Sequence, residues 1–224
     1  MTQKINRMLA RGAESRARLL DAAIKCFARS GFDGTSVRAI ADEAGVTFQL
    51  IRHHFGSKED LWLAAAMRLW DKAQDLLERA LSPPPQEATD PKRAFRHFAL
   101  TILEYNAKNP EFRRIYAQEY FADSERYRKI LKPYGRKFSK QQLDVLQRRA
   151  DDGLFARFSP EEAMLIFRSL VAGTVMLRDE YELLLGRSVS SRAALEYEAD
   201  LLVNLLFDGH GVALVQGRRD QRIA

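Results

Sequence analysis

The 224-residue chain is 46% hydrophobic and 29% charged, enough for both a packed core and a water-facing surface. Its single cysteine, Cys26, excludes an intrachain disulfide framework, and no apolar run approaches the roughly 20 residues that a transmembrane helix needs. The net charge of +6 is basic without being polycationic, and it is uneven: residues 1–18 hold five basic groups and one acid, 92–149 fifteen and six, and 150–208 five and eleven. The first eighteen residues lack the apolar stretch of a signal peptide, so the expectation is a cytoplasmic protein with no membrane partner.

In chain order, residues 1–14 read as a flexible basic arm carrying Lys4, Arg7 and Arg11, short and polar enough to be unfolded until it meets a minor groove. Leu19, Leu20, Ala23, Ile24, Phe27 and Ala28 mark the apolar face of a first helix, which Gly31 and Gly34 end. Ser36 to Ala44 is a short helix closed by Gly45, and Thr47 opens another that runs to about His54. Ser57 with Asp60 has the form of a capping box and starts a long helix to about Leu81. Ser82-Pro83-Pro84-Pro85 reads as an exposed, non-helical connector. Asp90-Pro91 and Asn109-Pro110 open helices at about 91–108 and 110–121. A further helix spans about 124–150, interrupted or kinked at Pro133. Ser159-Pro160-Glu161-Glu162 starts one that continues to Leu185, and a last helix covers about 191–208. No stretch shows the alternation of a strand. The fold class is all-α, with about nine helices, and 209–224 forms a flexible tail.

Residues 37–55, VRAIADEAGVTFQLIRHHF, carry the function. Gly45 supplies the left-handed turn between two short helices, Ala41 lets them cross closely, and Ile51 fills the core behind the second. This is the spacing of a helix-turn-helix, whose second helix lies in the major groove. Thr47 suits a cap or a phosphate contact. Phe48 and Gln49 stand at the end that enters the groove, where Gln pairs with adenine and Phe touches a thymine methyl. Arg52 and His53 suit phosphates one turn on. Lys58 at a helix start is a natural phosphate seat, and Ser36 and Arg38 are placed for the opposite strand. The adjacent His53 and His54 lack the spacing of a helical metal pair, so no metal or cofactor is expected. Neither a phosphate loop, a nucleophile elbow nor a Cys nucleophile with a partner is visible, so no enzyme is expected.

Ala22, Phe27, Gly31, Phe32, Thr35, Ser36, Val37, Ile40, Ala41, Ala44, Gly45, Val46, Thr47, His54, Phe55, Ser57, Lys58, Glu59 and Leu61 together resemble the DNA-binding domain of TetR-type transcriptional regulators. The resemblance is dense over about 18–62; beyond that it rests on helix count and layout. It implies a three-helix head over 15–60, and a body over 61–208 that binds a small molecule and pairs two copies. One departure is Arg52, where the family commonly has Tyr: a charge either keeps the phosphate contact or reaches a base edge.

In the body, Trp62, Met67, Trp70, Phe98, Tyr105, Tyr116 and Tyr120 are candidates for an effector pocket, with plain core as the alternative. Arg126, Arg128, Lys129, Lys132, Arg136, Lys137 and Lys140 form a cationic run, either a solvated face or an anchor for an anionic effector. Phe167, Leu170, Gly173, Thr174 and Leu177, with Leu201 and Leu205, mark the expected dimer surface, a four-helix bundle built from two chains. The expected function is a homodimeric repressor released from a palindromic operator by a small molecule. The alternative is an effector-independent or architectural dimer.

Overall fold

In a computed structural model of the chain, the description covers residues 2–122, 124–130, 140, 143, 144, 147, 158–186 and 188–208; the side chains of 2–9, Tyr120, Ile130, Val175 and Asp208 lie outside it. Among the described residues there are eleven α-helices and no strand: α1 (Thr2–Ser30), α2 (Val37–Ala44), α3 (Gln49–Phe55), α4 (Lys58–Ala80), α5 (Pro85–Ala88), α6 (Pro91–Lys108), α7 (Pro110–Phe121), α8 (Glu125–Ile130), α9 (Pro160–Met176), α10 (Arg178–Leu185) and α11 (Arg192–Val203), which a π-helical turn prolongs over Asn204–Asp208. The chain folds as two compact units, residues 1–73 with 109–136 and residues 74–108 with 137–224. This grouping does not follow the linear division at residue 60, because α7 packs on α1.

The first unit is built on the periodic face of α1. Leu19, Ala23 and Phe27 are fully buried, with Ile40 and Ala41 of α2, Ile51 of α3 and Leu61 and Trp62 of α4 against them. Burying each large apolar side chain contributes about 1.5–3 kcal/mol, which fixes the crossing of helices too short to be stable alone. Gly31 ends α1 at φ 69°. Ser36 caps α2, its Oγ accepting the Ala39 N–H at 3.0 Å. Arg68 of α4 ties back to α1 through Asp21 at 3.0 Å.

Three local expectations are corrected. The flexible arm instead continues α1 back to Thr2: residues 2–14 are rich in Gln, Lys, Arg, Met, Leu and Ala, good helix formers with only Gly12 against them, and the packed half of the helix supplies the nucleus. The proline run does not stay non-helical, since Pro85 takes the first position of the one-turn α5, where its missing N–H costs nothing. The single helix expected from 160 to 185 breaks at Leu177 (φ −99°, ψ 26°) into α9 and α10. Pro133 and most of the helix expected over 124–150 lie outside the described residues, as does the tail from 209.

The second unit has its own apolar core. Phe95, Phe98, Ile102 and Leu103 of α6 meet Leu77 of α4, Phe167 and Val171 of α9, and Leu195 and Leu202 of α11. Phe98 and Phe167 lie 5.2 Å apart between ring centroids. A capping box closes the start of α9, with Ser159 and Glu162 exchanging bonds. Arg96 grips Asp200 at 2.5 Å across α6 and α11. The single hydroxyl hydrogen of Thr174 faces two acceptors, the Leu170 carbonyl at 3.0 Å and a carboxyl oxygen of Glu198. Burial holds the Glu198 carboxyl above its ordinary range, against the hydrogen bond from Thr174, which favours the charged form.

Of the residues expected at a dimer surface, Phe167 and Thr174 belong to this internal core instead. Leu170, Gly173, Leu201 and Leu205 are partly buried, and Leu177 is exposed. The exposed stripe of α9 runs one register over, through Leu165, Ser169, Ala172 and Met176. A Cβ placed on Gly173 meets no atom of the described residues outside its own helix within 4 Å, so among them no close helix approach is made there. Leu183 and Leu184 of α10 are 82% and 81% exposed. Among the described residues, no helix is long and apolar enough to cross a membrane.

Candidate nucleic-acid interface

The helix-turn-helix is closed by backbone geometry. Gly45 adopts φ 63°, ψ 39°, and the Val46 N–H reaches back at 3.0 Å to the Ala41 carbonyl, which the Gly45 N–H also reaches, closing the end of α2. Ile51, 3% exposed, anchors α3 from behind. The opposite face of α3 is therefore forced outward.

Thr47 does not head α3. The first turn closes through bonds from the Leu50 N–H to the Thr47 carbonyl and from the Ile51 N–H to the Phe48 carbonyl, each 3.1 Å, so 47–48 form a tight turn and the helix proper begins at Gln49 with no side-chain cap. The Thr47 side chain points to solvent rather than into the fold. Phe48, next to it, is 46% exposed, with the Arg38 guanidinium 5.8 Å from its ring centroid. Gln49, Arg52 and His53 are exposed on α3.

Phe48, Gln49, Arg52, His53 and Lys58 line one groove of about 550 Å³ between α3 and the start of α4, with Val37 and Ser57 on its edges. The structure thus brings together five of the eight residues expected to contact DNA. Arg38 reaches the groove only through Phe48, while Ser36 and Thr47 lie outside it. Nearby acids are drawn into internal pairs. Asp60 takes the Ser57 hydroxyl hydrogen at 2.6 Å while its own N–H bonds Ser57 Oγ, half of the expected reciprocal cap. Glu59 holds Lys129 at 2.6 Å, and Glu43 holds Lys25 at 3.4 Å.

Ser15 Oγ lies 2.9 Å from both the Gly12 carbonyl, to which it can donate, and His54 Nε2. Burial, with His53 and Arg16 nearby, lowers the His54 pKa below 6.5. His54 is a structural link between α3 and α1. Arg16 adds a second, its guanidinium 5.0 Å above the Phe55 ring. Among the described residues there is no group of three or more metal-ligating side chains.

Sequence reasoning missed the role of Phe32. It follows the first helix in the run of matching residues, yet its ring carries Lys58 Nζ at 4.4 Å and the Arg126 guanidinium at 3.8 Å from the centroid. No periodicity signals it, because its partners come from distant parts of the chain.

The expected pocket aromatics do not form one cluster. Trp62, Trp70 and Tyr116, with Phe112, Tyr127 and the buried Glu119, enclose about 20 Å³ in the first unit, the space of one water. Met67 is exposed instead, because it lies on the outer face of α4. Phe98 and Tyr105 belong to the core of the second unit, where burial holds the Tyr105 phenol above its ordinary pKa. The Tyr120 side chain lies outside the description. In the cationic run, Arg126, Arg128 and Lys129 pair with Glu119, Glu125 and Glu59, and Lys140 is exposed. Lys132, Arg136 and Lys137 lie outside the described residues.

Comparison with known proteins divides the chain linearly, unlike its compact units. A family model described as bacterial regulatory proteins, tetR family, matches residues 19–70, and one described as tetracyclin repressor-like, C-terminal domain, matches residues 91–206. The chain belongs to the tetR family of bacterial regulatory proteins. The HTH-type transcriptional repressor NicS of Pseudomonas putida is 30% identical over 105 residues, 47% of this chain and 48% of that protein. The HTH-type transcriptional regulatory protein RaaS of Mycobacterium tuberculosis is 58% identical over 45 residues, 20% of this chain and 21% of that one. The chain thus spans about half the length of the curated relatives it matches, or less. Among solved structures, HlyIIR, a hemolysin II transcriptional regulator, shares the fold at TM-score 0.65 and 23% identity, covering 88% of this chain and 99% of that one. AibR, solved with isovaleryl coenzyme A and operator DNA, does so at TM-score 0.67 and 19% identity, covering 87% and 98%. As a tetR-family member the chain carries the all-α fold expected from its residues, head and body alike.

Proposed function

We propose that this tetR-family chain is a DNA-binding transcriptional repressor that acts as a homodimer, with α3 in the major groove. The observation that carries the reading is the outward face of α3: exposed Phe48, Gln49 and Arg52 line an open groove, and the buried Ile51 of the same helix borders it from the core. Gln49 reads a base edge, Phe48 meets a thymine methyl, and Arg52, His53 and Lys58 hold phosphates, with Ser36, Arg38 and Thr47 flanking them. Arg52 lies on the groove wall and serves as the charged counterpart of the family's Tyr.

Two copies are needed to read an operator of useful length, with half-sites about one DNA turn apart. The exposed stripe of α9 and the open space at Gly173 support pairing through α9 and α11. Release by a small molecule is supported by the family and by AibR, whose structure holds both an acyl coenzyme A and operator DNA. An effector acts by its differential affinity for the two states. An effector entering the 20 Å³ cavity beside Trp62 requires α7 to move away from α4.

Selection of bound duplexes from a random pool tests the reading. A palindromic consensus is expected, with Gln49→Ala relaxing one position per half-site and costing about 1–3 kcal/mol on it. No enriched sequence, with Gln49→Ala indistinguishable from wild type, refutes the placement of α3 on DNA.

A further inference from the structure

Phe32 lies at the end of a chain of contacts that begins far from the groove. Glu119 of α7, 4% exposed, accepts the hydroxyl hydrogen of Ser124 and pairs with Arg126 at 3.5 Å. The Arg126 guanidinium sits 3.8 Å from the Phe32 ring centroid and 5.8 Å from that of Trp62. Lys58 Nζ lies 4.4 Å from the same Phe32 centroid. Phe27, fully buried, is nearly parallel to Phe32 at 6.0 Å and fixes the ring to the head's core. Two cations on one ring repel each other, so the arrangement holds only because the aromatic quadrupole attracts both and a buried carboxylate neutralises one.

We propose that Phe32 is a positioning residue for DNA binding: its ring orients the Lys58 ammonium toward the backbone phosphates, and Arg126, tethered by Glu119, fixes the ring. This rests on the reading of Lys58 as a phosphate contact. Lys58 has a four-carbon stem with many rotamers, and a phosphate bond that must order it first loses affinity to that ordering. A ring that holds the ammonium beside the groove removes part of the cost in advance. In this reading Glu119 and Arg126 act on DNA through Lys58, by governing how well it is presented. A change at α7 therefore reaches DNA affinity through one side chain, without tilting α3.

The test is a double-mutant cycle on the full chain, read by fluorescence anisotropy with a labelled mixed-sequence duplex at low and physiological salt. A phosphate contact is indifferent to sequence, so no operator is required. Lys58→Ala is expected to flatten the salt dependence by about one unit. Phe32→Leu, which keeps apolar bulk and loses the quadrupole, should weaken binding about two- to fivefold, and should add nothing in the Lys58→Ala background. Arg126→Gln should act in the same direction and be equally silent there. Should Phe32→Leu lower the melting temperature, Arg126→Gln decides alone, since it leaves the ring in place. Losses that persist undiminished in the Lys58→Ala background overturn the proposal, because then Phe32 or Arg126 acts through bulk charge or general stability. Wild-type binding by Phe32→Leu and Arg126→Gln, with Lys58→Ala impaired, overturns it too and leaves the DNA face intact. Wild-type binding by Lys58→Ala removes the phosphate contact itself, and the proposal falls with it.

Discussion

Replacing Gly45 by alanine isolates the backbone of the helix-turn-helix from its packing. A Cβ built on Gly45 meets nothing among the described residues within 4 Å, so none of these neighbours has to move. The whole penalty is conformational: φ 63°, ψ 39° is left-handed, which costs an L-residue with a Cβ roughly 1–2 kcal/mol. Alanine also has fewer unfolded conformations to lose than glycine, which returns about 0.4–1 kcal/mol. The net expectation is a loss of about 1 kcal/mol, with Gly45→Asn smaller because Asn tolerates the left-handed region. Gly12 is the control. It lies within α1 without a positive φ and also has open space around it, so Gly12→Ala should gain up to about 1 kcal/mol from helix propensity. Urea unfolding of the three variants, with equal slopes, provides the measurement. Opposite signs at Gly45 and Gly12 are the signature. A Gly45→Ala variant as stable as wild type refutes the left-handed turn on which the presentation of α3 depends.

Further expectations concern pH and assembly. His54 has a lowered folded pKa, so the unfolded chain takes up its proton first: stability is full above about pH 6.5 and falls as pH drops below it, a slope that His54→Gln should reduce in melts across that range. Glu198 has the opposite sense: its raised folded pKa makes stability fall as pH rises from about 4.5 through the folded value. Glu198→Gln keeps an oxygen for Thr174 and removes the buried charge, so it should melt higher than wild type at neutral pH, with the gain vanishing below pH 4.5. Gly173→Ala meets nothing among the described residues outside its own helix, so weakened self-association in sedimentation with an unchanged or firmer helix is expected if a second copy crosses there; undiminished dimerisation excludes Gly173 from the interface.

Much of the helix layout was legible because its signals are local. Ser36, Gly45, Ser57, Pro91, Pro110 and Ser159 each fix a helix boundary by a cap, a left-handed turn or a missing N–H, and these boundaries agree with the observed ones to within a residue or two. The apolar face of α1 was readable from spacing alone. What escaped depends on contacts between distant residues. The helical state of residues 2–14 follows from a nucleus packed further along, with Ser15 and Arg16 pinned to His54 and Phe55. The break at Leu177 has no proline or glycine to announce it. The aromatic residues of the body read alike in sequence, and only tertiary packing sends Trp62 and Trp70 to a small cavity, Phe98 to a core and Met67 to solvent. Phe32 was visible as one matching residue among many, while its two cations lie 26 and 94 positions away.

The first compact unit draws on two separate stretches of chain, 1–73 and 109–136, and this limits how specificity can be transplanted. A chimera that takes a relative's residues up to 62 and keeps the host's remainder would join a foreign Phe32, Ala28 and Glu59 to the native Arg126, Gln118 and Lys129. Where the relative lacks Phe32 or Glu59, the cation–π contact or the 2.6 Å ion pair is lost, and where its backbone runs differently at Ala28, so is the 3.2 Å bond from Gln118. A graft that carries 109–130 along with the head moves the seam whole. The unit that holds the helix-turn-helix is therefore discontinuous, and a single crossover point places its two stretches in different parents.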